Sequence, residues 1–114
     1  MLGASENPSR YSNMAIKRLV DAGHEVAAVG LRKGEVAGVP IQTDFSALKN
    51  IHTVTLYLGP KNQSTYTEAV LELKPKRVIF NPGTVNSEFI EELESSGVEA
   101  VDACTLVMLS ADTY

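Results

Sequence analysis

The sequence predicts an α/β domain: a doubly wound, mostly parallel sheet of about five to six strands with helices on both faces. Three observations carry that prediction. Short β-branched runs alternate with helical segments along the whole chain. The residues Val26, Ala27, Ala28 and Val29 form a continuous apolar run, the pattern of a strand buried on both faces. One junction of helix, glycine and strand occurs twice, as Asp21-Ala22-Gly23-His24-Glu25-Val26 and as Ser95-Ser96-Gly97-Val98-Glu99-Ala100. Repeated right-handed crossovers through such junctions lay strands side by side.

The elements follow in order. The first strand is the short stretch leading into Gly3 and Ala4. Met14, Ala15, Ile16, Leu19 and Val20 recur at helical spacing, so a helix is expected over residues 12–22, ended by Gly23 in a left-handed cap. Residues 25–30 read as the second strand, followed by a polar loop. Gly38, Val39, Pro40 and Ile41 suggest an edge strand, because proline removes a ladder donor. Residues 45–49 add one helical turn, and residues 53–58 read as a strand. The next helix carries Tyr66, Ala69, Val70 and Leu73 on one face; Thr65 and Glu68 have capping-box spacing, and Pro75 stops it. Residues 77–81 form another strand. Asn86 is placed to cap a helix that Gly97 ends, with Val85 and Ile90 at staple spacing. Residues 98–103 are the last strand, and residues 105–114 read equally as helix or strand.

Size and charge narrow the function classes. The 114 residues fit one domain, residues 1–114, and 44% hydrophobic content suffices for a core. No apolar run approaches the roughly 18 residues of a membrane span. Cys104 has no second cysteine to pair with, and one cysteine with two histidines does not make a four-ligand zinc site. A net charge of −4 lacks the broad basic stripe that nucleic acid requires. The expectation is a cytoplasmic protein with no membrane and no nucleic-acid partner, holding any anionic ligand locally.

Ligands of doubly wound sheets sit outside the carboxyl ends of the strands. The residues 3–11, 30–35, 58–62, 81–84 and 103–106 fall at that edge, and His24 and His52 fall at the other. In the first loop, Gly3 and Ala4 lead to Ser5, Arg10, Tyr11 and Ser12, where a glycine admits phosphate close to the backbone and hydroxyls stand at a helix start. It is not a Gly-x-Gly-x-x-Gly loop, and a tight turn capped by Ser12 reads the same residues structurally. After the second strand the chain reads Gly30-Leu31-Arg32-Lys33, where enzymes using NAD place a carboxylate. The basic pair suits an extra phosphate, as on 3′-phosphorylated ADP; Arg10 and Lys61 share the edge. A solvated basic turn is the structural alternative. Glu88, Glu91, Glu92 and Glu94 are read as a solvated helix face. No catalytic residue is assigned: Ser5 lacks a second glycine and a histidine base, and the thiolate of Cys104 is disfavoured by Asp102.

Gly3-Ala4-Ser5 with Pro8 and Tyr11-Ser12, the Gly-His-Glu-Val entry to the second strand, Leu58-Gly59-Pro60, Asn81-Pro82-Gly83, and Asp102 with Cys104 together resemble the stand-alone CoA-binding domain family. That Rossmann-type family is similar to the amino-terminal domain of the succinyl-CoA synthetase alpha subunit. The resemblance covers nearly the whole chain. It implies that Gly3, Ser5, Tyr11 and Ser12 meet the diphosphate and Lys33 the phosphorylated ribose. Leu58, Gly59 and Pro60 would lie on the adenine side, with Asn81, Pro82 and Gly83 along the pantetheine path. The chain departs from many relatives at Gly30-Leu31, where they have Asn-Pro, and at Asn81, often a glutamine. The synthetases' phosphohistidine segment has no counterpart, so the resemblance implies binding and not ligase chemistry.

The expected function is a non-catalytic carrier, sensor or regulatory module for coenzyme A or an acyl-CoA, working with a protein partner or as a homodimer. An NADP-binding reductase or redox sensor is the alternative that Arg32 and Lys33 also fit, although 114 residues leave little room for a substrate domain. A subunit that has lost its ligand is the third reading.

Overall fold

A computed structural model describes residues 1–114 apart from the side chain of Ala47. Its elements are α1 (Tyr11–Asp21), β1 (Ala28–Val29), β2 (Gly34–Val36), β3 (Val39–Gln42), a 3₁₀ turn (Phe45–Ala47), β4 (Thr53–Leu56), α2 (Pro60–Gln63), α3 (Thr67–Leu73), β5 (Arg77–Phe80), α4 (Ser87–Ser95), β6 (Glu99–Asp102) and α5 (Thr105–Ser110). The strands form two three-stranded groups, one ordered β1-β3-β2 and one ordered β4-β5-β6. The second group is parallel throughout, whereas β2 runs antiparallel to β3. Leu2 makes one parallel bridge to Val29 and one to Leu56, so it touches both groups. The fold is therefore α/β with mixed strand pairing.

Alternation along the strands distributes the apolar side chains between two clusters. Leu2, Val29, Val54, Leu56, Val78 and Phe80 pack with Val70 of α3 and with Phe89 and Leu93 of α4. Met1, Ala28 and Ile41 instead join Ala15, Ile16 and Leu19 of α1, with Leu106 and Leu109 of α5 packed alongside. Helices thus cover both faces of the strands. Phe80 meets Phe89 edge to face, with ring centroids 5.7 Å apart, the arrangement aromatic quadrupoles favour.

The repeated junction closes in one way at both places. Gly23 and Gly97 have φ of +87° and +82°. The N–H of His24 bonds to the Leu19 carbonyl at 3.0 Å and that of Val98 to the Leu93 carbonyl at 3.0 Å, while Gly23 and Gly97 donate to Val20 and Glu94. This is the six-to-one and five-to-two pairing that satisfies the last carbonyls of a helix. Asn86 caps α4 as expected, its side chain accepting from the Phe89 N–H.

Several expectations are corrected. The strand expected over residues 25–30 is confined to Ala28–Val29. Pro40 does not mark an edge: β3 lies between β1 and β2. It is tolerated because β1 pairs with β3 only from Ile41 onward, leaving Pro40 opposite Glu35 of β2 alone. The edge is β2, where a polar loop was expected. A two-residue turn, Ala37-Gly38, with both residues at positive φ, folds that segment back onto β3. The capping box at Thr65 does not form, since α3 starts one residue later with Tyr66 at its N-cap and no side-chain cap. The ambiguous tail contains α5.

Candidate functional site

The parallel strands all deliver their following loops to one edge, where most of the predicted residues meet. The first loop is held there by backbone contacts. Gly3 has φ of +95°, and a Cβ on it would lie 2.9 Å from the backbone carbon and oxygen of Tyr57, the residue after β4. The N–H groups of Gly3 and Ala4 both reach the Val29 carbonyl, at 2.9 and 3.0 Å. At Gly30 a Cβ would strike the Ala4 carbonyl oxygen. The ends of the Leu2 segment, β1 and β4 are thus drawn together where only glycine fits.

Side chains knit the rest of that loop. Ser5 Oγ accepts from the Asn7 N–H at 3.1 Å, and Asn7 Oδ1 accepts from the N–H and hydroxyl of Ser9. Asn13 Nδ2 donates to the Ser5 carbonyl at 3.0 Å, tying the loop to α1. Asn13 is 2% exposed and its Oδ1 has no partner. Glu6 crosses to β2, where its Oε2 accepts from the Glu35 N–H at 3.0 Å. Gly34 makes room for that carboxylate, since a Cβ there would collide with it.

The start of α1 differs from expectation by one residue. Its N-cap is Arg10, which makes no side-chain cap, so Ser12 is not the cap but sits buried inside the first turn. The first turn of this 11-residue helix therefore has no side chain closing it, and its positive end faces the edge. Arg10 and Tyr11 are exposed at that point, and Leu31, Arg32 and Lys33 are exposed on the adjacent loop.

Across the edge, Gly59 is the N-cap of α2 and Pro60 its first residue, with Leu58 half-buried before them. Gln63 of α2, 1% exposed, donates through Nε2 to the Leu58 carbonyl at 2.8 Å and the Thr84 carbonyl at 2.7 Å, and Asn86 Nδ2 reaches its Oε1. It binds two edge loops into one body. Asn81 is equally buried, with Nδ2 donating to Thr55 Oγ1 at 2.7 Å and to the Leu56 carbonyl at 2.8 Å, and Oδ1 accepting from the Thr105 N–H at 2.8 Å. Both amide hydrogens of Asn81 are thereby committed within the protein. Pro82 and Gly83 beside it are exposed, Gly83 with φ of +88°.

Tyr57 lies under this edge between β4 and α5. Burial pushes its phenol up to about 12, against a smaller lowering by the nearby Thr105 and Thr55 hydroxyls. Its hydroxyl makes no well-formed hydrogen bond. Cys104 is a half-buried free thiol at the N-cap of α5. His24 and His52 lie at the opposite edge, His24 against the Tyr114 ring with centroids 4.8 Å apart and His52 Nδ1 2.7 Å from Thr53 Oγ1. Among the described residues no group of three His, Cys, Asp or Glu side chains is placed to hold a metal. Among the described residues no helix is long and apolar enough to cross a membrane.

A family model described as a CoA binding domain matches residues 1–110. The chain belongs to this family of CoA-binding domains. The resemblance carried by its loop motifs is borne out over almost its full length. Among solved structures, this CoA-binding domain is similar to an uncharacterized protein at 50% identity, with 99% of this chain and 93% of that one covered and a TM-score of 0.95. A hypothetical protein from Pyrococcus horikoshii OT3 is 27% identical over 96% of this chain and 79% of that one, with a TM-score of 0.87. The cell-free ID.343 protein from Thermus thermophilus shares the fold at 24% identity, over 99% of this chain and 87% of that one, with a TM-score of 0.87. No curated protein matches the chain.

Motif reading did not single out Gln63, Asn13, Glu6 or Gly34. Gln63 sits in the polar run Lys61-Asn62-Gln63-Ser64 with no local signal that its amide is buried. Glu6 and Gly34 are 28 positions apart, and only the fold brings them together.

Proposed function

We propose that this domain binds coenzyme A or an acyl-CoA across the carboxyl edge of a single doubly wound, Rossmann-like sheet, as a carrier, sensor or regulatory module without chemistry of its own. Leu2 supports treating the two strand groups as one sheet, since its two bridges give the order β2-β3-β1-Leu2-β4-β5-β6. The observation that carries the ligand reading is the start of α1. A glycine-pinned loop leads into an uncapped helix end, with exposed Arg32 and Lys33 on the adjacent loop. Oriented N–H groups at a helix start favour a phosphate, and the basic pair supplies charge for a second one.

In this reading the diphosphate lies at Gly3, Ala4, Ser5, Tyr11 and Ser12, with Arg10 beside it. Gly30 admits the close approach, Arg32 and Lys33 meet the 3′-phosphate, and Leu58, Gly59 and Pro60 border the adenine. Pro82 and Gly83 line the pantetheine path, and Asn81 holds them in place from below. Cytoplasmic residence fits such a ligand. The test is calorimetry with CoA, dephospho-CoA and NADP. CoA should bind more tightly than dephospho-CoA, and Lys33→Ala should weaken CoA with the thermal midpoint unchanged. Because Lys33 is exposed, the loss should be about 1 kcal/mol, roughly fivefold. Equal affinity for CoA and dephospho-CoA would remove the role of the basic pair, and tighter binding of NADP than CoA would favour the redox reading.

A further inference from the structure

Leu31, Arg32 and Lys33 are exposed, yet the stretch they form is held at both ends against the first loop. At one end Gly30 lies so near the Ala4 carbonyl that a Cβ would strike it, and its N–H reaches the Gln42 carbonyl of β3 at 2.9 Å. At the other end Gly34 lies against the side chain of Glu6, whose Oε2 accepts from the Glu35 N–H at 3.0 Å. The basic pair therefore sits in a three-residue span whose two anchors are Ala4 and Glu6.

The register of β2 explains why a side chain is needed there. Gly34, Glu35 and Val36 lie opposite Ile41, Pro40 and Val39. Bonded and outward-pointing positions alternate along an antiparallel pair, and a two-residue turn closes on a bonded one. Val36 is that bonded position, so the Glu35 N–H points out from the sheet edge, where Glu6 supplies its acceptor. The base of Glu6 is itself held. The Ser5 carbonyl accepts from Asn13 Nδ2 at 3.0 Å, and the Asn7 N–H donates to Ser5 Oγ at 3.1 Å. Val36 seats the far end of β2 in the cluster with Ala15 and Ile16. Glu6 is the contact at the end nearest the basic pair.

We propose that Glu6 is a positioning residue, strapping β2 to the first loop and so fixing Arg32 and Lys33 relative to the start of α1. This role rests on the ligand reading proposed for that edge. A span ordered before binding has less freedom to lose when the ligand arrives. The benefit falls on the separate phosphate that Arg32 and Lys33 meet, and not on the diphosphate, so Glu6 sets the preference for CoA over dephospho-CoA. Its charge acts differently: a carboxylate at this edge repels every anionic ligand. Substitution separates the two effects. Glutamine keeps an acceptor oxygen and loses the charge, whereas alanine loses both. Gly34→Ala attacks the same contact from the other side, because its methyl displaces the flexible end of Glu6 and Gly34 has no positive φ to strain.

The experiment measures CoA and dephospho-CoA affinities by calorimetry for the unaltered protein, Glu6→Ala, Glu6→Gln, Gly34→Ala and the Glu6→Ala/Gly34→Ala double variant. Amide hydrogen exchange at Glu35 is followed without ligand. Glu6→Ala and Gly34→Ala should each reduce the preference for CoA by about threefold or more and speed exchange at Glu35. The double variant should lose no more than either single one, since both remove one contact. Glu6→Gln should keep the preference while binding both ligands more tightly. Equal affinity of the unaltered protein for CoA and dephospho-CoA overturns the ligand reading together with this role. A preference that the unaltered protein shows and that Glu6→Ala and Gly34→Ala retain in full overturns the role of Glu6 alone, as does a preference lost as fully in Glu6→Gln as in Glu6→Ala.

Discussion

Replacing Asn81 by alanine should destabilise the domain by about 3 kcal/mol, because it leaves a buried carbonyl and a buried N–H unpaired together. The Asn81 amide donates to Thr55 Oγ1 and to the Leu56 carbonyl and accepts from the Thr105 N–H, all at 2.7 to 2.8 Å. Thr55 is partly cushioned, since its hydroxyl also meets that of Thr105 at 2.8 Å. Leu56 C=O and Thr105 N–H have no such reserve at these positions, and each unpaired buried group costs about 1 to 3 kcal/mol. At about 4 °C per kcal/mol for a domain of this size, the thermal midpoint should fall by about 12 °C. Urea denaturation followed by circular dichroism should show a lower midpoint with an unchanged slope. Asn81→Asp sharpens the test. It keeps the acceptor for Thr105 but sets a carboxylate oxygen against the Leu56 carbonyl, so its folded-state pKa is raised above the ordinary value. A raised acid pKa means the stability is present at low pH and is lost as pH rises, so this variant's deficit should shrink toward about pH 4. A loss below about 1 kcal/mol in Asn81→Ala, or an aspartate deficit that does not shrink in acid, would refute the claim that this network holds the edge together.

Gly3→Ala should cost about 2 kcal/mol or more in chemical denaturation, because φ of +95° and a Cβ 2.9 Å from the Tyr57 backbone oppose any side chain there. Ala37→Gly should stabilise by about 0.5 to 1 kcal/mol, since Ala37 holds φ of 51° in the turn between β2 and β3, and an unchanged midpoint would contradict the strain. Tyr57, held at about 12 in the fold against 10.0 when free, ionises first in the unfolded chain; stability should therefore fall between pH 10 and 12. After discounting for partial exposure the loss is on the order of 1 kcal/mol, and Tyr57→Phe should lack that part of the alkaline decline in pH-dependent denaturation.

The legible parts of the fold were those encoded within a few residues. Gly23 and Gly97 each follow a helical repeat and precede a strand, so the left-handed cap could be read locally and both formed as expected. Asn86 announced the start of α4 in the same way. The errors fall where a neighbouring element, rather than a residue's own run, decides. Pro40 signals an edge only if its strand pairs on one side along its whole length; here the pairing with β1 starts just beyond it. Glu35 and Val36 look like loop residues until β3 supplies the other half of a hairpin. Thr65 had capping-box spacing, but the short helix α2, ending at Gln63, displaces the start of α3.

The same division runs through the candidate site and changes what its motifs mean. Asn81-Pro82-Gly83 reads in sequence as one ligand-lining unit, yet the fold splits it. Asn81 turns inward, donating both amide hydrogens to β4 and accepting the Thr105 N–H of α5 at its amide oxygen, while Pro82 and Gly83 face solvent. Gly30 behaves similarly, spending its missing side chain on the Ala4 carbonyl, while Arg32 and Lys33 remain exposed two and three positions later. On the proposed reading, ligand specificity at this edge falls to the exposed members of each motif, and loop position to the buried ones. Substitutions should separate accordingly. Changing Lys33 should alter affinity at constant stability, whereas changing Asn81 or Gln63 should lower stability first and affinity only through the displaced loops.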